Sequence, residues 1–410
     1  MTTILAYTSP AIGHLYPMMP VLLELKNRGH HVHVRTLDRA VPDVLAAGLK
    51  AEPIHPAVEP VLEQFPTHAA KGAKAQLEMV ARLFSTRAQL DAPDLRKAID
   101  EVQPDLLVVD INAWGAVGVA EASGLPWTSF CPYILSVRSK GTPPFGPGLT
   151  RDLSVKGRIR DAVVNRLVLG AVEAQFLPTL NRVRAAEGLS PCRSVDNFFT
   201  RAHAILMTSS EPFDYPHPDW PAKIHSIGAT PWEPERPEPE WLAELADPLV
   251  LVTTSSEYQG DEELARAAIA GLADEPGSVV ITMAAGVPDD LGPLPPNIRV
   301  ERFVPHGHLL KRATVAVTHG GMGATQKALA AGVPVCAMPF GRDQFETAAR
   351  VVHANAGTRL DAKKLTPDAL RDSVRRAARM AGGARRCAEG YANAGGATAG
   401  ADTIESLLGS

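Results

Sequence analysis

The stretch "TVAVTHGGMGATQKALAAGVPVCAMPF", residues 314–340, combines a β-branched run, a glycine cluster, a helix-like segment and a second apolar run. Runs rich in valine and threonine are typical of buried strands, and Gly320, Gly321 and Gly323 indicate a turn that opens a helix. A strand, a turn, a helix and a second strand form one unit of a parallel sheet with a crossover helix. This stretch therefore predicts an α/β fold.

The same alternation runs through both halves of the chain. In the first half we predict strands at residues 4–8, 31–36, 105–109 and 127–130, with a further apolar run near 202–210. In the second half the predicted strands are "PLVLVTTSS", "SVVITM", "NIRVERFV", "TVAVTHGG" and "VPVCAMPF". We expect an α/β protein with two Rossmann-like, doubly wound domains that face each other across a cleft, with ligands beyond the carboxyl ends of the strands.

A linker separates the two predicted domains. The segment "GATPWEPERPEPE", residues 228–240, is dense in proline and charge and has no periodicity. We therefore predict a first domain over residues 1–227, a second over 241–385, and a helical tail over 386–410 that could pack back on the first domain. Two long insertions, 56–100 and 141–187, interrupt the first domain, and "GTPPFGPG" within the second is predicted to be a mobile loop.

The composition excludes several classes of protein. With 45% hydrophobic and 21% charged residues and a formal net charge of −4, the chain is typical of globular proteins and has no basic surplus for nucleic acid. Its four cysteines show no C-x-x-C spacing, which argues against a zinc site or a disulfide framework. No apolar run reaches the length of a membrane span, and the N-terminus does not resemble a signal peptide. We expect a cytoplasmic protein.

The glycine cluster is a candidate phosphate site. Amide groups at a helix start lack intrahelical partners and the helix dipole is positive there, so phosphate is a suitable ligand, with His319 as an added donor. A plain strand-to-helix turn explains the glycines equally well. The cluster is neither a G-x-x-x-x-G-K-[ST] loop nor a G-x-G-x-x-G dinucleotide fingerprint.

Further polar residues follow predicted strands. Asp343 and Gln344 could hold sugar hydroxyls, although the local sequence favours a helix cap as the role of Asp343. His14 follows the first strand and could act as a general base, with Asp110 at the end of "PDLLVVD" as its partner, but a lone histidine is often structural. No G-x-S-x-G elbow supports a hydrolase, and no D-x-D motif supports a carboxylate-bound metal.

Taken together, the chain resembles the superfamily of nucleotide-sugar-dependent glycosyltransferases of the GT-B type, especially bacterial enzymes that act on macrolide, enediyne and aromatic natural products. The resemblance covers nearly the whole chain. It rests on "GHLYPMMPVLLELKNRGHHV", "VERFVPHGHLL" and "THGGMGATQKALAAGVPVCAMPFGRDQ", which match the N-terminal, base-binding and donor motifs in this order.

The resemblance implies an inverting, metal-independent transfer of a hexosyl or deoxyhexosyl group from a TDP- or UDP-sugar to a hydroxyl of a small, largely apolar aglycone. It implies an N-terminal acceptor domain, a C-terminal donor domain, and no cofactor beyond the nucleotide sugar. It implies no nucleic-acid or membrane partner and leaves a homodimer open. His14 would be the catalytic base and Asp110 its orienting partner. The donor-binding residues would be Ser255, Ser256, His319, Gly320, Gly321, Gly323, Ala324 and Thr325 around the diphosphate, Phe303 and Val304 at the base, and Asp343 and Gln344 at the sugar.

Three positions depart from the family pattern. Ala324 stands where many relatives have a hydroxyl that reaches the phosphate, so that contact is missing or comes from Thr325. Ser255 replaces a glycine. Lys327 replaces a glutamate that binds ribose hydroxyls, which could accompany a deoxyribose donor such as a TDP-sugar.

Three other functions remain as alternatives. A nucleotide-sugar epimerase of similar fold would turn over the donor alone. A lipid-linked sugar transferase would need an apolar, basic membrane patch, which the N-terminal half lacks. A noncatalytic auxiliary partner of another glycosyltransferase could dispense with a catalytic histidine, whereas His14 is present.

Overall fold

The computed structural model describes residues 1–65, 72–255 and 262–409. Its strands form two sheets, and neighbouring strands in each sheet run parallel. The first sheet has the order β3-β2-β1-β4-β5-β6-β7, with strands β1 (Thr3–Tyr7), β2 (His31–Thr36), β3 (Lys50–Pro53), β4 (Leu106–Asp110), β5 (Trp127–Cys131), β6 (Ala204–Met207) and β7 (Ile224–Ser226). The second has the order β10-β9-β8-β11-β12-β13, with β8 (Leu249–Thr253), β9 (Ser278–Thr282), β10 (Ile298–Glu301), β11 (Ala313–Thr318), β12 (Val335–Ala337) and β13 (Gly357–Arg359).

Helices connect and cover these strands. They are α1 (Ile12–Asn27), α2 (Val41–Ala46), α3 (Val58–Gln64), α4 (Ala73–Val102), α5 (Trp114–Ala122), α6 (Val155–Ala186), α7 (Val195–Phe199), α8 (Glu262–Leu272), α9 (His306–Leu310), α10 (Met322–Ala330), α11 (Gln344–His353), α12 (Pro367–Ala378), α13 (Ala381–Asn393) and α14 (Gly396–Ser406). The predicted fold class, two doubly wound α/β sheets, is confirmed.

Both faces of each sheet are buried, which explains the continuous apolar runs in the sequence. Successive side chains of β1 enter different cores: Ile4 packs with residues of α1, and Leu5 packs with residues of α4 and α5. A strand covered on both faces needs apolar residues at every position rather than at alternate ones. The apolar runs of the second half form the second sheet for the same reason.

Three short strands were not predicted from the sequence. The strands β3, β7 and β13 have three or four residues each and lie at or near the sheet edges. Edge strands are covered less completely, so they carry little apolar signal. Their polar residues gave no periodicity to detect.

The two insertions are dominated by long helices, α4 with 30 residues and α6 with 32. The loop that we expected to be mobile is held against the second sheet's helices. The amides of Gly146 and Gly148 both donate to Oε1 of Glu346 on α11, each at 2.8 Å. An added Cβ at Gly148, where φ is +60°, would overlap the carbonyl of Phe345, so only glycine allows this close approach.

The chain returns to its first domain at the end. Residues 227–239 form neither helix nor strand and lead to the second sheet. After that sheet, α14 packs against α1, where Ala401 and Ile404 lie in the same core as Leu22. No described helix has the length and apolar character that crossing a membrane would require.

Candidate active site

A cleft of about 320 Å³ lies where the carboxyl ends of the two sheets face each other. In each sheet the chain reverses its direction of strand addition between two central strands: β1 and β4 in the first, β8 and β11 in the second. Loops after such strand pairs leave an open crevice, which is where doubly wound proteins bind ligands. The predicted site residues that line the cleft are His14, Ser255, Phe303, Val304, His319, Gly321, Gly323, Ala324, Asp343 and Gln344.

On one side of the cleft, His14 and Asp110 are in contact. His14 lies in the first turn of α1, just beyond the loop where we expected it, and Asp110 ends β4. The Nδ1 atom of His14 is 2.7 Å from Oδ2 of Asp110, which is fully buried, while the His14 side chain is 19% exposed. A carboxylate accepts hydrogen bonds, so it favours the proton on Nδ1 and leaves Nε2 as a basic atom.

Neighbouring groups set the pKa and the orientation of His14. Burial alone would lower the pKa of His14, but the charge of Asp110, its hydrogen bond to His14 and the charge of Asp343 together outweigh burial, and the pKa lies above its ordinary value of 6.5. The other carboxylate oxygen of Asp110 accepts hydrogen bonds from Ser9 Oγ and from the Asn112 amide, both at 2.8 Å. The ring of Tyr133 meets the His14 ring edge-on, with 5.9 Å between centroids. The pair is thus held in one orientation.

On the other side, the start of α10 faces the cleft. Gly321 is the N-cap, in an extended conformation and without a side-chain cap, so the first amides of the helix have no intrahelical partner. An added Cβ at Gly321 would overlap Nε2 of His319, whereas one at Gly323 would meet nothing within 4 Å. These glycines therefore make room for the His319 ring and leave the helix start open, which suits an anionic group.

Two residues expected at this turn lie behind it. The amide of Gly320, which has φ +82°, donates to Thr318 Oγ1 at 3.0 Å, so this amide is engaged within the turn itself. Thr325 is fully buried, and its hydroxyl lies 3.4 Å from that of Thr318. Thr325 therefore does not replace the hydroxyl that Ala324 lacks, and both residues shape the turn instead.

The loop after β12 brings Asp343 and Gln344 to the cleft. Asp343 occupies the N-cap position of α11, but its side chain makes no capping hydrogen bond. Its carboxylate therefore does not act as a helix cap. Burial raises its pKa above the ordinary value. The side-chain oxygen of Gln344 accepts from the amides of Phe340 and Gly341, at 2.8 and 3.1 Å, so this oxygen organises the loop.

The segment after β10 supplies an aromatic surface. Phe303 is 56% exposed although it is a large apolar residue, and it lines the cleft. An exposed aromatic ring in a cleft offers a stacking surface for a planar ligand. Val304 beside it is buried. Ser255 follows β8 and lines the cleft, and Ser256 lies outside the described residues.

One charged pair in this cleft was not predicted from the sequence. Glu233, in the segment between the sheets, accepts from Lys327 Nζ at 3.0 Å and from the amides of His306 and Gly307 at 3.1 and 2.7 Å. Burial would raise the pKa of Glu233, but Lys327 and the Gly307 amide hold it below its ordinary value. The linker contains several acidic residues without periodicity, so nothing in the sequence distinguished Glu233 from them.

Within the described ranges, no group of three or more histidine, cysteine, aspartate or glutamate side chains is arranged to hold a metal ion. The four cysteines are unpaired and buried.

Comparison with known proteins identifies the family of the chain. Residues 266–392 match the family described as erythromycin biosynthesis protein CIII-like, C-terminal domain. The chain is 33% identical to 4'-demethylrebeccamycin synthase of Lentzea aerocolonigenes, over 91% of this chain and 90% of that protein. It is 27% identical to demethyllactenocin mycarosyltransferase of Streptomyces fradiae, over 100% of this chain and 87% of that protein.

Solved structures support the same fold. A calicheamicin glycosyltransferase superposes with a TM-score of 0.73 at 22% identity, covering 100% of this chain and 98% of that one. The glycosyltransferase VinC, solved in complex with dTDP, superposes with a TM-score of 0.73 at 22% identity and covers 99% of both chains. The chain therefore belongs to the family of bacterial natural-product glycosyltransferases that have the GT-B fold.

Proposed function

We propose that the protein is an inverting glycosyltransferase that moves a hexosyl or deoxyhexosyl group from a TDP- or UDP-sugar to a hydroxyl of a small, largely apolar aglycone. The observation that carries this proposal is the 2.7 Å contact between His14 and Asp110, in a cleft that also holds the open start of α10. A general base thus lies in the same space as an anion site. These are the two parts that such a transfer requires.

The reaction would be a single displacement. Nε2 of His14 takes the proton of the acceptor hydroxyl while that oxygen forms a bond to the anomeric carbon of the sugar. The bond from this carbon to the diphosphate breaks, and its electron pair leaves with the nucleoside diphosphate. Asp110 stabilises the imidazolium that forms. Attack from the side opposite the leaving group inverts the anomeric configuration.

The second domain would stabilise the leaving group. Negative charge grows on the diphosphate oxygens as the bond breaks, and the amides at the start of α10 with His319 would donate to them. Fixed donors of this kind stabilise the transition state more than the ground state, and losing one typically costs about 3 kcal/mol. Because these donors belong to the protein, we propose that the transfer needs no metal ion.

The remaining contacts would select the donor. Phe303 would stack on the base, with Val304 beside it, and Asp343 and Gln344 would hold the sugar hydroxyls. The named relatives act on antibiotic-type natural products, and one structural neighbour was solved with dTDP. Apolar cleft residues, including Ile12 and Trp232, suit an apolar acceptor. Four unpaired cysteines suit a reducing compartment such as the cytoplasm.

The test combines donors with candidate acceptors. The protein would be incubated with TDP- or UDP-sugars and a panel of indole, phenolic and macrolide aglycones, and nucleotide release would be followed. Release that depends on the acceptor, with inverted configuration of the product by NMR, supports the proposal. Turnover of the donor without an acceptor would instead favour an epimerase or a hydrolase.

A further inference from the structure

A buried hydrogen-bond chain continues behind Asp110, on the side away from His14. Ser9, in the loop after β1, donates from Oγ to Oδ1 of Asp110 at 2.8 Å. Arg87, on α4, donates from Nη2 to Oγ of Ser9 at 3.3 Å. Ser9 is 3% exposed and Arg87 is 2% exposed. A buried arginine is costly unless it is paired, and Arg87 is 3.5 Å from the buried Asp91 while it also donates toward the histidine–aspartate pair.

The direction of this chain is fixed by chemistry. A guanidinium group can only donate hydrogen bonds, so Ser9 must accept from Arg87. The single hydroxyl proton of Ser9 is then directed to Asp110. The carboxylate of Asp110 therefore receives a hydrogen bond, backed by a cation, on the oxygen opposite the one that faces His14. The hydrogen bond from Ser9 and the positive charge of Arg87 both draw negative charge away from the histidine.

We propose that Ser9 and Arg87 are positioning residues that lower the proton affinity of the His14–Asp110 pair, so that His14 stays able to accept a proton near neutral pH. This inference rests on the proposed role of His14 as the base. Asp110 strengthens the base but also favours its protonated form, and a histidine that is already protonated cannot accept the acceptor's proton. Ser9 and Arg87 limit that second effect.

Other charged groups near the pair also change the proton affinity of His14, each in the direction that its charge dictates. Asp343 before α11 faces His14 from the second domain and favours its protonated form, while Arg87 opposes it. Arg87 itself is 3.5 Å from Asp91, whose pKa is raised by burial to about 6. Tyr7 donates to Asp94 at 2.9 Å in the same buried region. Asp91 could take up a proton when Arg87 is removed and offset the lost charge, so Ser9 gives the sharper test.

The experiment measures His14 directly and without substrate. Protein with 13C-labelled histidine would be titrated by NMR, and the His14 ring signal would be assigned by its absence in His14→Gln. In Ser9→Ala the titration midpoint should rise by about 0.5 to 1 pH unit, because the hydrogen bond lost to the Asp110 carboxylate acts on His14 only through Asp110 and therefore only in part. Ser9→Thr keeps a hydroxyl and should titrate like the wild type. Arg87→Met should raise the midpoint by less than Ser9→Ala does, because Asp91 takes up a proton when Arg87 is removed.

Matched controls separate this effect from a general change in structure. Ser123→Ala removes a hydroxyl that donates to the Ala120 carbonyl, and Arg96→Met removes an arginine of α4 that pairs with Glu187. Both should leave the midpoint unchanged. A midpoint that is unchanged or lowered in folded Ser9→Ala overturns the inference. If Ser9→Ala does not fold, an unchanged or lowered midpoint in Ser9→Gly, which also lacks the hydroxyl, overturns it. Retained transfer by His14→Ala would instead overturn the proposed function, so the two failures are distinguishable.

Discussion

Arg350 of α11 forms a buried ion pair with Asp214 of the first domain, with 2.6 Å between Nε and Oδ1. The Nη1 atom of Arg350 also lies 2.9 Å from Oε2 of Glu346, whose other oxygen accepts the two loop amides of Gly146 and Gly148. The helix that begins at Gln344 is therefore fixed to the first domain by charges that water does not screen.

Arg350→Met should destabilise the protein by about 3 to 5 kcal/mol, because it leaves the buried Asp214 and Glu346 without their cation. Urea unfolding measures the change. Arg375→Met, which removes an exposed pair with Glu275, should cost less than about 1 kcal/mol.

The buried ion pair of Arg350 and Asp214 should also weaken in acid. The pKa of Asp214 is about 2, below its ordinary 3.8, so its contribution is complete above pH 3.8 and is lost as the pH falls through about 2. Equal stability of Arg350→Met and Arg375→Met would contradict the stabilising role of the buried Arg350 ion pair.

His14→Ala should reduce transfer by about 10² to 10⁴-fold, the usual contribution of a general base. Binding of UDP or TDP should persist, because the expected nucleotide contacts lie in the second domain. Single-turnover rates and calorimetry measure the two effects. His33→Gln, a substitution on β2 outside the cleft lining, serves as the control. Near-native transfer by His14→Ala would exclude the base assignment.

Transfer should show an acid limb above pH 6.5. The pKa of His14 is raised above this value, so kcat/KM should fall as the pH drops through the raised pKa and the base becomes protonated. Asp110→Asn removes the charge that raises this pKa, so the limb should move to lower pH while the maximal rate falls. A limb that stays in place in Asp110→Asn would show that another group controls it.

Gly321→Ala should weaken nucleotide diphosphate binding by about tenfold or more, because the added methyl group displaces His319 or the turn itself. Calorimetry with UDP and TDP measures this. Gly170→Ala is the matched control, since an added Cβ in that helix meets nothing within 4 Å. Unchanged affinity in Gly321→Ala would place the diphosphate elsewhere.

The pair of Lys327 and Glu233 should influence recognition of the ribose. Lys327→Glu alone brings two carboxylates together and should weaken binding of UDP and dUDP alike. The double variant Glu233→Gln/Lys327→Glu restores one carboxylate on α10, which can accept from a 2′-hydroxyl, and should favour UDP over dUDP by about fivefold more than the wild type does. These two nucleotides differ only in that hydroxyl. An unchanged ratio would remove this pair from ribose recognition.

Local patterns predicted most of the scaffold. The strands that are covered on both faces carry apolar residues at nearly every position. This pattern can be recognised from the local sequence alone. The edge strands and the anchoring of the loop at Gly146 and Gly148 depend on partners distant in the chain. Glu346, which holds that loop, lies about 200 residues away in sequence, so no local pattern indicates the contact.

By itself, the sequence determined the two doubly wound sheets, the family resemblance and the positions of His14, Asp110 and His319 at or just beyond the carboxyl ends of strands. Only the tertiary structure decided which polar atoms meet. It joined His14 to Asp110, turned Thr325 and the Gly320 amide away from the cleft, and brought Glu233 to Lys327 and Arg87 to Ser9. The physical reason is that apolar periodicity fixes which face of an element is buried, whereas a hydrogen bond or an ion pair requires two atoms about 3 Å apart, and that distance is set by the packing of whole elements.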